Sequence, residues 1–591
     1  MADCGDKGEC MLKNRILSAS KKIKSDLVIT GVQVVDVFGQ DIYTGDVAVH
    51  EGYFIGIGNY KGCGKKEING TGRYIIPGFI DAHTHIESTL VTPVEYSNAA
   101  LPHGITSVIA DPHEIANVAG TAAIEFMMES AGRVPMDFHF MLPSCVPATA
   151  FENNGTSLHA DDLIDFYNRD CVSGLAEVMD FPAVLNADPG MLRKLGDAHD
   201  AGMVIDGHCP GFDIDQLNAY ASAQIRTDHE CDTPQGLLDR IRRGIYTLVR
   251  EGTVCKDLLR MLPAINQKNS RLLCFATDDK HLDDLVMNGG VNTNVRLAVE
   301  NGLNPVTAVQ MATINAAQCY RLKNKGAVAP GFMADFSIVS DLAAMTPELV
   351  YKSGVLVAEN QRILKRVSPS VCPPPDDLQT SIHLPLIQKT DLRIDMAGCD
   401  HANIIEVVEG SVVSNHLVEQ VDVKGDCFEI NVEKDQLKIA VIERHRKLGN
   451  IAVGIIKGLK LTQGAIATTI AHDSHNLITV GADDADILVA VREIEKMQGG
   501  IVVVNRNKIL AALQLEIAGL ITARRSESVM ADLNHLQETI SLLAPDCRFN
   551  PFLALSFMSL VVIPNLKISD RGLFDVNTFS FIDVPAMAPD N

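Results

Sequence analysis

Hydrophobic positions change period three times along this chain of 591 residues. Residues 11–22 carry apolar side chains at helical spacing, which predicts a short amphipathic helix. From Asp26 the runs shorten and alternate, at 27–29, 32–35, 46–49 and 54–57, with Gly, Asn and Asp between them as antiparallel hairpins require. After Tyr74-Ile75-Ile76 the pattern becomes strand, loop, helix, repeated. Buried-type strands are predicted at 79–85, 105–110, 138–142, 172–177, 203–208, 226–230, 246–249 and 272–278, with a helical segment near 121–130. A capped helix begins at Asn304-Pro305, and short strands return at 325–339. The run Ser368-Pro369-Ser370-Val371-Cys372-Pro373-Pro374-Pro375-Asp376 reads as a stiff linker. From about Leu384 a further set of strands and a few helices follows, including 451–456 and 501–504.

Eight strands alternating with helices predict an α/β fold, a (β/α)8 TIM-type barrel whose functional groups gather at the carboxyl ends of the strands. The expected domains are an N-terminal β-domain at 1–75, the barrel at 76–325, return strands and the Pro-rich linker at 326–383, and a C-terminal mixed α/β domain at 384–591. The return strands are expected to pair with the N-terminal β-domain, because neither half has enough strands alone.

Composition narrows the function class. Hydrophobic residues at 46% and charged residues at 21% describe a globular chain, and a formal charge of -23 without a basic run argues against a nucleic-acid polymer as partner. The 14 cysteines are scattered, with no Cys-x-x-Cys pair, so reduced thiols in a cytoplasmic protein are expected. The N-terminal residues lack an apolar signal-peptide core, and no apolar run reaches the roughly 20 residues of a membrane span, so no membrane partner is expected.

The chemistry starts at Pro77-Gly78-Phe79-Ile80-Asp81-Ala82-His83-Thr84-His85-Ile86-Glu87. On a strand of period two, His83 and His85 leave the backbone on one face, where two neutral imidazoles make half a metal site. Two satisfied core histidines would give the same triplet, and the remaining strand ends decide between the readings. Glu177, His208, His229 and Asp278 fall at the predicted ends of strands 4, 5, 6 and 8, on the same rim as the histidine pair. That inventory exceeds what one tetrahedral ion needs and predicts two divalent ions. Glu177 bridges them, with His83, His85 and Asp278 on one ion and His208 and His229 on the other. Asp278 is also expected to take a proton from the attacking water and pass it to the leaving group, and Glu177 shares the catalytic role through its bridge.

These motifs resemble the amidohydrolase superfamily: the strand-borne His83-Thr84-His85, lone histidines after strands 5 and 6, an Asp after strand 8, and the closing Gly326-Ala327-Val328-Ala329-Pro330-Gly331-Phe332-Met333-Ala334-Asp335-Phe336. Within it, His85-Ile86-Glu87-Ser88, Ala110-Asp111-Pro112-His113-Glu114, Asp206-Gly207-His208-Cys209-Pro210-Gly211, Thr277-Asp278-Asp279-Lys280 and the late Ala471-His472-Asp473-Ser474-His475-Asn476 resemble the bacterial-type adenine deaminase family. The resemblance covers nearly the whole chain, C-terminal domain included. It implies hydrolysis of adenine to hypoxanthine and ammonia by a metal-activated hydroxide, with a dinuclear manganese or iron centre. Mn2+ is the expected ion, and Fe2+ or Zn2+ suit the same His and carboxylate donors. The N-terminal tail, with Cys4 and Cys10, matches nothing in the family.

Three further residues lie just past ligand-bearing or neighbouring strand ends. Glu87, His113 and Glu114 are expected either to hydrogen-bond the purine edge or move its proton, or to orient the imidazoles from behind. The run His472-Asp473-Ser474-His475 lacks a nucleophile elbow, which leaves it a structural or lid role. The alternative function is a related amidohydrolase acting on a cyclic amide or another aminated heterocycle, with the same ligands and different pocket residues. A non-catalytic scaffold would have lost ligands, and none is missing. A homo-oligomer, dimer or higher, is expected of a large barrel enzyme.

Overall fold

The computed structural model describes residues 7–409 and 411–588. The tail segment with Cys4 lies outside them. Helix Lys7–Ala19 precedes strand Ser25–Asp36. The runs at 27–29 and 32–35 belong to this one strand, because a bulge between Ile29 and Val32 shifts the alternation by one residue and keeps Leu27, Ile29, Val32 and Val34 in one buried cluster. Gly31 supplies the bulge with a φ of 63°, open to glycine at no steric cost. Strands from both sides of the central α/β region share one nine-stranded sheet. Tyr74–Pro77 pairs antiparallel with Phe336–Val339, and Pro347–Lys352, Val355–Glu359 and Arg362–Ile363 continue beyond it.

All eight strands of the central α/β region are present and parallel. Phe79–Thr84, Ile105–Ala110, Asp137–Leu142, Val172–Val178 and Val204–Gly207 form a five-stranded sheet, and Thr227–Asp228, Tyr246–Arg250 and Leu273–Ala276 a three-stranded one. The ladder is therefore not one continuous eight-stranded ring. One seam falls at Thr227–Asp228, a strand of 2 residues that pairs only with Tyr246–Arg250. The other is held by a single parallel bridge between Thr84 and Asp278. Hydrogen bonds cross both seams, from the Arg226 amide to the Ile205 carbonyl at 3.0 Å and from the Asp278 amide to the His83 carbonyl at 2.9 Å. Ile80, Ile109, Met141, Ala176, Val204, Leu248 and Cys274, from seven of these strands, meet in one buried cluster.

The helix expected near 121–130 is longer, His113–Ala131, and is broken at Gly120, whose φ of 62° is non-helical. Pro112 stands at its N-cap, so His113 and Glu114 sit in a helical first turn rather than in a loop.

The C-terminal region is built on a second nine-stranded sheet, with His401–Val407, Ile451–Lys457 and Leu437–Ile442 on one side and Ala465–Thr468, Gly500–Asn505 and Lys508–Gln514 on the other. It rests on the rim of the strand bundle. The Thr522 amide donates to the Leu90 carbonyl at 2.9 Å, and the Asn476 side chain donates to the Asn153 carbonyl at 2.7 Å. Among the described residues, no helix is long and apolar enough to cross a membrane.

Candidate metal centre

The strand ends converge. His83 lies within Phe79–Thr84, and His85 just beyond keeps an extended backbone (φ -100°, ψ 111°), so the alternation survives and the two Nε2 atoms stand 3.2 Å apart. The His85 Nδ1 lies 3.1 Å from the Asp111 carbonyl, which makes Nδ1 the donor and leaves the Nε2 lone pair free toward the rim. Asp278, two residues past Leu273–Ala276, sits at φ 56° in the left-handed region that Asp tolerates better than most residues. Its Oδ1 is 3.1 Å from His85 Nε2 and 3.8 Å from His83 Nε2.

Glu177, inside Val172–Val178, divides its carboxylate. Oε1 faces His85 Nε2 at 3.4 Å and His83 Nε2 at 3.8 Å, whereas Oε2 faces His208 Nδ1 at 2.7 Å and His229 Nε2 at 3.1 Å. Two donor sets thus share one carboxylate. Every member is buried except His208, which is partly exposed. Imidazole nitrogens aimed at one another and at carboxylate oxygens, with no thiolate among them, are the donors a divalent metal ion takes. The groupings His83–His85–Asp278 and His83–Glu177–His229 are each compact enough for one ion, so the residues fit the metal that the chemistry calls for.

The charge states of His83, Glu177 and Asp278 agree with that use, whereas the facing carboxylates outweigh burial at His85, His208 and His229 and raise those imidazoles. Burial, with His229 and His85 close by, holds the His83 imidazole well below its ordinary range, in the neutral form that binds metal. For Glu177 burial alone would raise the carboxyl, but His229 and His208 outweigh it and hold it well below the usual carboxylate range. The same contest at Asp278 is won by the His85 hydrogen bond and the Arg250 charge.

Behind Asp278 stands a group that the sequence reading missed. Arg250, the last residue of Tyr246–Arg250 and buried, donates from Nη1 to Asp278 Oδ2 at 2.9 Å, from Nε to Asp257 at 3.1 Å, and through both terminal nitrogens to Glu230. Glu230 in turn lies 3.6 Å from His229 Nε2 and 3.7 Å from His208 Nδ1. The signal available in the sequence was a cation closing the apolar run at 246–249.

A cavity lies over the two donor sets. His85, Glu177, His208, His229 and Asp278 form its floor; Val412, His472, Asp473, Phe557, Leu560, Val562 and Ile563 of the C-terminal region form its cover. His113 and Glu114 line it too, but differently from a simple substrate contact. His113 Nδ1 is held 3.1 Å from Asp111 Oδ2 and lies 3.6 Å from Glu177 Oε1. Both Glu114 oxygens are engaged across the interface, Oε1 by His472 Nδ1 at 2.6 Å and Oε2 by His475 Nε2. Glu87 is not among the residues that line this cavity. It opens on a neighbouring one, where one oxygen accepts from the Ile115 amide at 3.1 Å and burial pushes its carboxyl up to about 7. Ser474 is no nucleophile here, since His475 is committed to Glu114 and the Ser474 hydroxyl lies 3.2 Å from the Asn476 amide nitrogen.

Comparison with known proteins places these features in context. Residues 74–357 match the model described as Amidohydrolase family, and residues 411–580 match the one described as Adenine deaminase C-terminal domain. The chain is similar to adenine deaminase of Geobacillus kaustophilus (strain HTA426), 48% identical over 576 residues that cover 98% of this chain and 99% of that one. Adenine deaminase of Bacillus subtilis (strain 168) is 44% identical over 574 residues, covering 97% and 99%. That of Listeria monocytogenes serovar 1/2a (strain ATCC BAA-679 / EGD-e) is also 44% identical, over 578 residues.

Proposed function

This chain belongs to the adenine deaminase family of amidohydrolases, and from that premise we propose that it hydrolyses adenine to hypoxanthine and ammonia at the cavity above Glu177. The observation that carries the reading is the divided Glu177 carboxylate, which gives one oxygen to each of two nitrogen–oxygen donor sets beneath a covered cavity. We read the five- and three-stranded sheets as two arcs of one (β/α)8 barrel, supported by the hydrogen bonds across both seams. The proposed ligands of one divalent ion are His83, His85, Asp278 and Glu177 Oε1, and those of the second are His208, His229 and Glu177 Oε2. Mn2+ is the proposed ion. When bound, such ions acidify water and act as Lewis acids toward the group under attack.

The protein's own groups then have definite tasks. The reaction forms a C–O bond at C6 of the ring and breaks the C6–N bond, so protons must move from water to the departing amine. Asp278 is placed for that transfer: its Oδ1 faces the donor set, while Arg250 holds Oδ2 and fixes which oxygen points inward. The apolar cover of Phe557, Leu560 and Val562 keeps bulk water from the reacting ring.

The test is an assay of manganese-loaded protein. Loss of adenine absorbance with one ammonia released per adenine, and two metal equivalents per chain, is the expected result. Inert behaviour toward adenine together with hydrolysis of a cyclic amide would overturn the reading.

A further inference from the structure

The run His472-Asp473-Ser474-His475 holds more than an interdomain contact. Its two histidines grip Glu114, and between them Asp473 enters the cavity wall. Asp473 is 4% exposed, and its Oδ2 has no hydrogen-bond partner. Its other oxygen lies 4.0 Å from His113 Nε2, beyond hydrogen-bond reach. Among the described residues that line the cavity, the buried polar atoms left without partners are this oxygen and His229 Nδ1. The other cavity carboxylates near it are occupied: Glu114 by two imidazoles, Asp278 and Glu230 by Arg250. Burying a polar group without a partner is costly, so a carboxylate oxygen kept open at a cavity wall is positioned for a donor that arrives with the ligand.

Resting on the deaminase reading, we propose that Asp473 accepts the imidazole N–H of the bound purine and thereby selects the free base over purines substituted at N9. A carboxylate accepts hydrogen bonds, and adenine offers N–H donors at only two places, the exocyclic amine and the imidazole ring. The amine is the leaving group and must face the donor sets on the floor. The ring N–H is then the donor left for a carboxylate carried by the cover. A purine alkylated at N9 lacks that hydrogen and would leave Asp473 buried and unpaired, the kind of mismatch that such sites reject strongly.

The experiment compares wild type with Asp473→Ala and Asp473→Asn on adenine and on 9-methyladenine, the latter tested as substrate and as inhibitor. Metal content and thermal midpoint serve as controls, and the near-isosteric Asn variant guards against misfolding. Loss of one hydrogen bond to a charged group predicts a fall of about 10- to 100-fold in kcat/KM for adenine in the Ala variant. Turnover or inhibition by 9-methyladenine should stay within about twofold of wild type, so that discrimination collapses. Equal losses on both compounds, or no loss on adenine, would overturn the proposal while leaving the deaminase reading intact. Wild-type protein that leaves adenine untouched would remove both.

Discussion

Replacing Arg250 by methionine tests whether the centre depends on charges behind it. The guanidinium is 5% exposed and touches three carboxylates, Asp278, Glu230 and Asp257. Methionine fills much of the same space and removes every donor. Taking one partner from a buried ion pair costs about 3–5 kcal/mol, because the charge left behind is uncompensated. The two-oxygen contact with Glu230 places Arg250→Met at the upper end of that range. The damage has a direction. Asp278 loses the donor that fixes its Oδ2, so its Oδ1 is no longer held toward His83 and His85. Loss of such a supporting partner lowers metal affinity or activity by about 10- to 100-fold. The assay is metal retained after dialysis against graded chelator, followed by kcat/KM for adenine and the thermal midpoint of the metal-loaded protein. All three should fall. Arg250→Lys should restore little, since a single ammonium cannot reproduce the fork that reaches three carboxylates. Unchanged metal affinity and midpoint in Arg250→Met would refute the reasoning, and the observed ion pairs would then be incidental to the centre.

Two further substitutions probe the cover. Glu114→Gln puts a donor where two imidazoles require acceptors. The His475 Nδ1 lies 3.2 Å from the Ala471 backbone nitrogen and accepts its hydrogen, so Nε2 must donate toward Glu114, and one face of the new amide repels it. The expected outcome is a lower thermal midpoint, faster amide exchange across 471–476 and a reduced kcat/KM; unchanged exchange there would show that the clamp is dispensable. Lys567 is fully buried, donates to the Val412 and Phe557 carbonyls at 2.8 and 3.0 Å, and is pushed down by burial to about 7 from 10.5. Between about pH 7 and pH 10.5 the unfolded chain binds a proton that the folded one does not, so stability should rise with pH in that window and be lowest at or below pH 7. Melts of wild type against Lys567→Met from pH 6.5 to 9.5 should show that rise in wild type alone; parallel profiles would contradict the neutral amine.

The strands of the fold were legible because parallel strands buried on both faces read as short apolar runs, and each predicted run from 105–110 to 272–278 holds a strand. Two things escaped the pattern. The register shift at Gly31 mimics a strand boundary, since one extra residue reverses the alternation without ending the ladder. The helix that begins at His113 was hidden by its own first turn, whose buried His and Glu face the cavity and cover rather than solvent. Polar residues placed for a site look like a loop to any reading that equates polarity with exposure. Its apolar period is also interrupted at Gly120, where the backbone leaves the helix.

The six proposed ligands converge because each needs only its own strand: a strand end fixes position, and neighbouring parallel strands share a rim. The cover obeys no such local rule. Glu114 and His472 are 358 residues apart, and nothing in either neighbourhood names the other. Asp473 looked like one member of a failed triad because its partner is not in the chain at all. Glu87, two residues past His85, meets the same limit. Alternation beyond a strand end no longer predicts direction once the backbone turns into the 3-10 helix Ile86–Thr89, and that turn carries the Glu87 carboxylate to the neighbouring cavity. Period and spacing therefore reach as far as the backbone stays regular. Asp473, the group proposed to select the substrate, lies past that limit, on the cover.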